Sequence, residues 1–151
     1  MAVGSYRVPA HMPRWLHFPL PIAAWALLGL LPSAALPAAP ELDRSKLPPE
    51  PAGFRLDGDF ERGAAVFKKS CALCHGPEGK GDGRIKSDPP PRDLTDPEAL
   101  RTATDWELYQ VIVEGGQVLG LAPKMLPWKD MLDEPELRDV AAYVRSLAPR
   151  E

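Results

Sequence analysis

The residues best suited by type and spacing to chemistry are Cys71, Cys74 and His75, in the run CALCH. C-x-x-C-H is an attachment signature for c-type haem. Each thiol adds across one porphyrin vinyl group, giving two thioether bonds. Two intervening residues let a single helical turn bring both sulfurs to the macrocycle edge. The histidine follows at once, where its imidazole reaches the iron from one face. Other readings fit less well. A redox dithiol belongs in a sheet-and-helix setting that the pattern lacks. A zinc site lacks ligands, because His11 and His17 lie in the apolar front of the chain and no further thiol exists. Two cysteines also exclude a four-thiolate metal site and a dense disulfide framework.

A second axial ligand is sought among Met125, Met131 and, remotely, Met12, with His11 and His17 as the histidine candidates. Met125 lies in a stretch bounded by Pro123 and Pro127, a stiff loop able to hold a thioether over iron. A methionine brings no charge to desolvate, and as a soft ligand it favours ferrous iron. Met131, two residues before a helix cap, reads as core. With both axial positions filled the iron has no open site, which leaves outer-sphere electron transfer and no small-molecule substrate at the metal. No Ser-His-acid set and no paired zinc ligands argue for an enzyme.

Three helices must position these groups. Asp59 caps one that runs from Phe60 to about Leu73, with Gly63, Val66, Phe67 and Ser70 on one face and the cysteines in its last turn. Gly76, Gly79, Gly81 and Gly83 then turn the chain directly after His75. Thr104 caps a second helix from Asp105 to about Val113, with Trp106, Tyr109 and Val113 sharing a face and Gly115 and Gly116 ending it. Asp133 and Glu136 form a capping-box arrangement at the start of the closing helix. Its buried stripe is Leu137, Val140, Ala141, Val144 and Leu147, with Tyr143 at the flank.

Residues 58–149 resemble the small class I c-type cytochromes, especially bacterial mono-haem domains. The resemblance rests on FERGAAVFKKSCALCH (60–75), GPEGKGDG (76–83), PPPRDL (89–94), KMLPW (124–128) and LDEPELRDVAAYVRSL (132–147). It implies an all-α cytochrome c fold around one covalently bound haem c. It implies His75 and Met125 as iron ligands, since Met125, Pro127, Trp128 and Leu132 satisfy the family's distal pattern. It implies that a carbonyl of the proline loop, at Pro90 or Pro91, accepts a hydrogen bond from the His75 ring. It also implies that the first and last helices cross with Gly63 and Phe67 against Val140, Tyr143 or Val144. Trp128 is a core aromatic beside the haem or an indole donor to a haem propionate. Arg92 and Lys124 are alternatives for propionate charge, or simply face solvent.

The 151 residues are unevenly composed. Residues 1–40 hold no acidic side chain and only Arg7 and Arg14 as basic ones, and Trp15 to Ala39 is free of Asp, Glu, Lys and Arg. A basic start before the apolar run Ile22 to Leu31 marks residues 1–31 as a signal peptide or an uncleaved membrane anchor. Either places the remainder on the periplasmic side of a bacterial cytoplasmic membrane. Residues 32–57, with six prolines and no apolar periodicity, read as a spacer. Residues 58–151 form the haem domain. From residue 57 onward there are 18 acidic against 13 basic side chains, a net of −5, which excludes a strongly basic nucleic-acid binder. The expected partners are membrane or periplasmic redox proteins, including those of a stable multi-subunit respiratory or photosynthetic complex. A soluble diffusible cytochrome and a haem-based gas or redox sensor are the alternatives.

Overall fold

The three capping side chains read from the sequence, Asp59, Thr104 and Asp133, each open a helix. A computed structural model of the chain describes residues 40–121 and 124–148. The apolar run of residues 1–31, with His11, Met12 and His17, lies outside the described residues. Among the described residues no helix is long and apolar enough to cross a membrane.

The Asp59 carboxylate accepts from the Arg62 N–H and opens α1 (Phe60–Val66). The helix does not run on as a regular α-helix. It widens into a π-helical turn over Phe67–Cys71, in which the Ala72 N–H bonds to the Phe67 carbonyl. It then closes as α2 (Ala72–His75), ended by Gly76 at φ +82°. Such widened turns are common at functional positions, because they change the direction in which the following side chains point. A short α3 (Pro97–Leu100) is capped by Asp96, with proline in its first turn. α4 (Asp105–Glu114) starts at a full capping box between Thr104 and Glu107. α5 (Glu134–Leu147) starts at a second box between Asp133 and Glu136.

The core forms where α5 meets α1 and α4. Phe67, Leu108, Ile112, Leu137, Val140, Ala141 and Val144 are buried there. Leu147 and Tyr143 are half-buried at the margin. At the α1–α5 crossing a Cβ added to Gly63 would overlap the Asp139 carbonyl oxygen and stand 2.9 Å from the Tyr143 Cβ. Only glycine allows that approach. One turn on, the Phe67 and Tyr143 rings pack with centroids 5.2 Å apart. Asp139, only 3% exposed, fastens the same crossing. Its carboxylate accepts from the Asp59 N–H at 2.6 Å and from Arg62 Nε at 2.7 Å. Hydrogen bonding to Arg62 holds this carboxyl below the usual aspartate range, against the opposing effect of burial.

The turn before α4 is held by cations from two sides. Arg145 of α5 donates to the carbonyls of Leu100, Ala103 and Thr104 and pairs with Asp105 at 3.0 Å. Arg44 pairs with the buried Glu107 carboxylate at 2.6 Å and donates to the Thr102 carbonyl. Arg44 belongs to the segment read as a spacer, and from Pro40 on that segment lies against the domain. The Asp43 N–H donates to the Leu119 carbonyl at 2.9 Å, and Trp106 Nε1 donates to the Pro48 carbonyl. Phe54 packs edge-on against Trp106 and tilted against Tyr109. Apolar contact and carbonyl acceptors thus engage a stretch whose sequence shows no periodicity.

Candidate functional site

The CALCH run occupies the end of the first helical segment, and the π-helical turn sets its direction. Cys71 and Cys74 are free thiols, both half-buried. Burial, with a smaller contribution from neighbouring Cys74, pushes the Cys71 thiol up to about 12. Among the described residues no group of three or more His, Cys, Asp or Glu side chains could hold a metal ion. His75 is held below the usual histidine range by burial, while the Arg92 backbone pulls the other way. Its imidazole is therefore neutral near pH 7, the form that binds metals. Its Nδ1 atom is buried without a hydrogen-bond partner.

The loop after His75 folds back over the carbonyls of the motif. The Gly81 N–H donates to the His75 carbonyl at 2.8 Å, and the Ile85 N–H donates to the Leu73 carbonyl at 2.9 Å. Gly83 lies so close to the Cys74 carbonyl that a Cβ would overlap it. Gly81 similarly faces the Pro91 carbonyl and brings the proline loop to the motif. The Leu94 N–H closes the loop on the Gly79 carbonyl at 2.7 Å. Pro90 is exposed and Pro91 half-buried. The Arg92 guanidinium donates to the carbonyls of Ala99 and Pro40.

Met125 hangs from the C-terminus of α4. Its carbonyl accepts from the Gly116 N–H at 3.0 Å, and the Trp128 N–H is shared between the carbonyls of Ile112 and Val113. Gly115, at φ +77°, faces this loop so closely that a Cβ would stand 2.7 Å from both the Met125 oxygen and the Pro127 nitrogen. Met125 and Trp128 are half-buried against the core, and Lys124 is exposed. Met131 does not fill the core as expected. It is 52% exposed, because the turn from Trp128 to Leu132 carries it outward.

A family model described as "Cytochrome c" matches residues 60–148. The chain belongs to the cytochrome c family. It is 35% identical over 91 residues to a cbb3-type cytochrome c oxidase subunit FixP of Sinorhizobium medicae, covering 56% of this chain and 29% of that one. It is 30% identical over 89 residues to the subunit of the same name from a Bradyrhizobium strain, covering 59% and 28%. The chain thus spans less than a third of the length of these curated relatives. Among solved structures it is similar to a chain of the Kuenenia stuttgartiensis reducing HAO-like protein complex. That likeness has TM-score 0.47 and 31% identity, covering 62% of this chain and 44% of that one. It is also similar to the KustC0563 c-type cytochrome, with TM-score 0.44 and 22% identity, covering 58% and 98%.

A c-type haem-binding motif is therefore present in a cytochrome c domain. The local chemistry suits that group. Two thiols lie one helical turn apart, and the adjacent imidazole is neutral and keeps one buried nitrogen unpartnered. A buried polar atom without a partner is costly, and in a native site it calls for an explanation.

Proposed function

We propose that residues 58–151 carry one haem c, bound covalently through Cys71 and Cys74, with His75 and Met125 as axial ligands. The observation that carries this reading is the half-buried His75, its Nδ1 enclosed, directly behind two cysteines at a helix end in a domain of the cytochrome c family. When bound, the haem supplies a one-electron couple. The chain's own residues do the rest. The thiols fix the group in position and orientation. His75 and Met125 would hold the iron, and with both bound no substrate would enter there, so the domain would act as an electron relay, not an enzyme. Trp128 and Lys124 would serve the propionate edge; the Arg92 guanidinium donates to the carbonyls of Pro40 and Ala99.

Residues 1–31 serve as signal or membrane anchor, which sets the domain on the periplasmic side of a bacterial membrane. The relatives named as oxidase subunits support a place within a respiratory complex, with membrane or periplasmic redox proteins as donor and acceptor. The small residues SAALPAA (33–39) offer cleavage positions near Ala38 or Ala39, and cleavage there would release a diffusible cytochrome instead.

Expression in a host able to mature c-type cytochromes tests both levels. The intact mass should exceed the chain mass by one haem, and Cys71→Ala with Cys74→Ala should abolish the gain. Haem retention by the double variant after denaturation would overturn the attachment. Recovery of a chain beginning near Ala2 in the membrane fraction supports the anchored relay. A chain beginning near Pro40 in the soluble periplasm establishes the diffusible form.

A further inference from the structure

The two loops that flank the proposed iron site are tied together by a segment outside the family match. Arg92 donates to the Pro40 carbonyl at 2.7 Å, and its loop meets the His75 side where the Pro91 carbonyl faces Gly81, whose N–H donates to the His75 carbonyl at 2.8 Å. Three residues on from Pro40, the Asp43 N–H donates to the Leu119 carbonyl at 2.9 Å. Leu119 is fully buried, and Gly120, at φ +76°, sits close against Asp43. The turn that holds Leu119 is coupled directly to the methionine loop. The Leu121 N–H bonds to the Gly116 carbonyl at 2.8 Å, and the Gly116 N–H bonds to the Met125 carbonyl at 3.0 Å. The rest of the segment is fastened to α4 through Arg44 with Glu107, Pro48 with Trp106, and Phe54 with Trp106 and Tyr109. Residues 40–54 therefore bridge the His75 side and the Met125 side through α4.

We propose that residues 40–54 are a positioning strap that holds the Met125 loop at the iron, a role that rests on Met125 being the distal ligand. The energetic logic is preorganisation. A neutral thioether competes poorly for ferric iron unless its loop is held in place before it binds. Supporting contacts of this kind orient metal ligands without touching the metal. Among the described residues the strap makes no hydrogen bond to the CALCH run, so loosening it should change the distal side and leave attachment intact.

The test uses the full-length haem-loaded protein. Asp43→Pro removes the N–H donated to Leu119, and the native φ of −79° suits proline. Arg44→Ala removes the half-exposed anchor to Glu107, with Arg44→Lys as the conservative variant. Added imidazole, titrated against the ferric protein, reports how readily the distal methionine is displaced. Asp43→Pro should bind it about tenfold more tightly, as expected for one lost backbone hydrogen bond. Its far-red sulfur-to-iron absorption band should weaken, its haem content should be unchanged, and amide exchange at Gly116 and Leu121 should accelerate. Arg44→Ala should move the same way by a smaller factor, about threefold, with Arg44→Lys recovering part of it. A wild-type band together with imidazole affinities within about twofold of wild type in both variants overturns the strap alone. A wild-type protein that lacks the band overturns the distal role of Met125 and the strap's role with it.

Discussion

Replacing Gly63 by alanine tests the helix crossing that sets the haem motif in place. The added Cβ would overlap the Asp139 carbonyl oxygen, and it would lie 2.6 Å from the Asp139 carbonyl carbon and 2.9 Å from the Tyr143 Cβ. Ordinary contact is 3.4–4 Å, and the obstructing atoms are backbone or adjacent to it, so no side-chain rotation relieves them. α1 must withdraw from α5 by on the order of 1 Å, and close-packed interiors resist such shifts. Overpacking costs about 1–3 kcal/mol. Withdrawal also stretches the 2.6 Å and 2.7 Å bonds to the buried Asp139 carboxylate, for about 1 kcal/mol more. Against this, alanine is favoured over glycine in a helix by about 1 kcal/mol. The net expectation is a loss of about 2 kcal/mol, or on the order of 10 °C in Tm for a domain of this size. The assay is denaturant and thermal unfolding of the haem-loaded protein by circular dichroism. Ala65→Gly, at an exposed position of the same helix, isolates the propensity effect and should cost about 1 kcal/mol. A Gly63→Ala protein as stable as wild type, or more so, would refute the close crossing.

Two further outcomes follow from the same contacts. The Asp139 pKa is depressed by Arg62, so its stabilising effect is present above the unfolded value of about 3.9 and is lost as pH falls through the lower folded value. Asp139→Asn should therefore be less stable than wild type at pH 7, and the gap should narrow below about pH 4 in acid titrations followed by fluorescence; a gap that does not change with pH would contradict the ion pair. Gly115→Ala combines a positive φ with a Cβ 2.7 Å from the Met125 oxygen. It should cost about 1–3 kcal/mol in unfolding experiments and weaken the far-red band; wild-type stability with an unaltered band would contradict the close fit of Gly115 to the methionine loop.

Features written in local chemistry were legible in the sequence. Asp59, Thr104 and Asp133 announce helix starts because a cap acts within three residues, and CALCH carries its own spacing. Gly63 was legible because a mid-helix glycine needs a close neighbour, although the neighbour is the Asp139 backbone as well as the Tyr143 side chain. The π-helical turn before Cys71 was not, since it depends on how Phe67 is seated in the core and not on any residue's propensity. The buried role of Asp139 was hidden because its partners lie 77 and 80 residues away. Arg44 and Pro48 carry no periodic signal, and their partners in and beside α4 are 63 and 58 residues distant. A proline-rich stretch therefore read as a spacer where it packs on the domain. Met131 read as core from its place two residues before the cap of the closing helix, but the turn from Trp128 to Leu132 points it outward.

The ferric absorption spectrum of the haem-loaded protein, recorded beside Met125→Ala and Met131→Ala, tests the central claim most directly. A relay with both axial positions filled by His75 and Met125 should show the far-red sulfur-to-iron band in the wild type and in Met131→Ala. Met125→Ala should lose the band and, once reduced, bind carbon monoxide. Loss of the band in Met131→Ala with its retention in Met125→Ala, or carbon monoxide binding by the unaltered protein, would contradict the account.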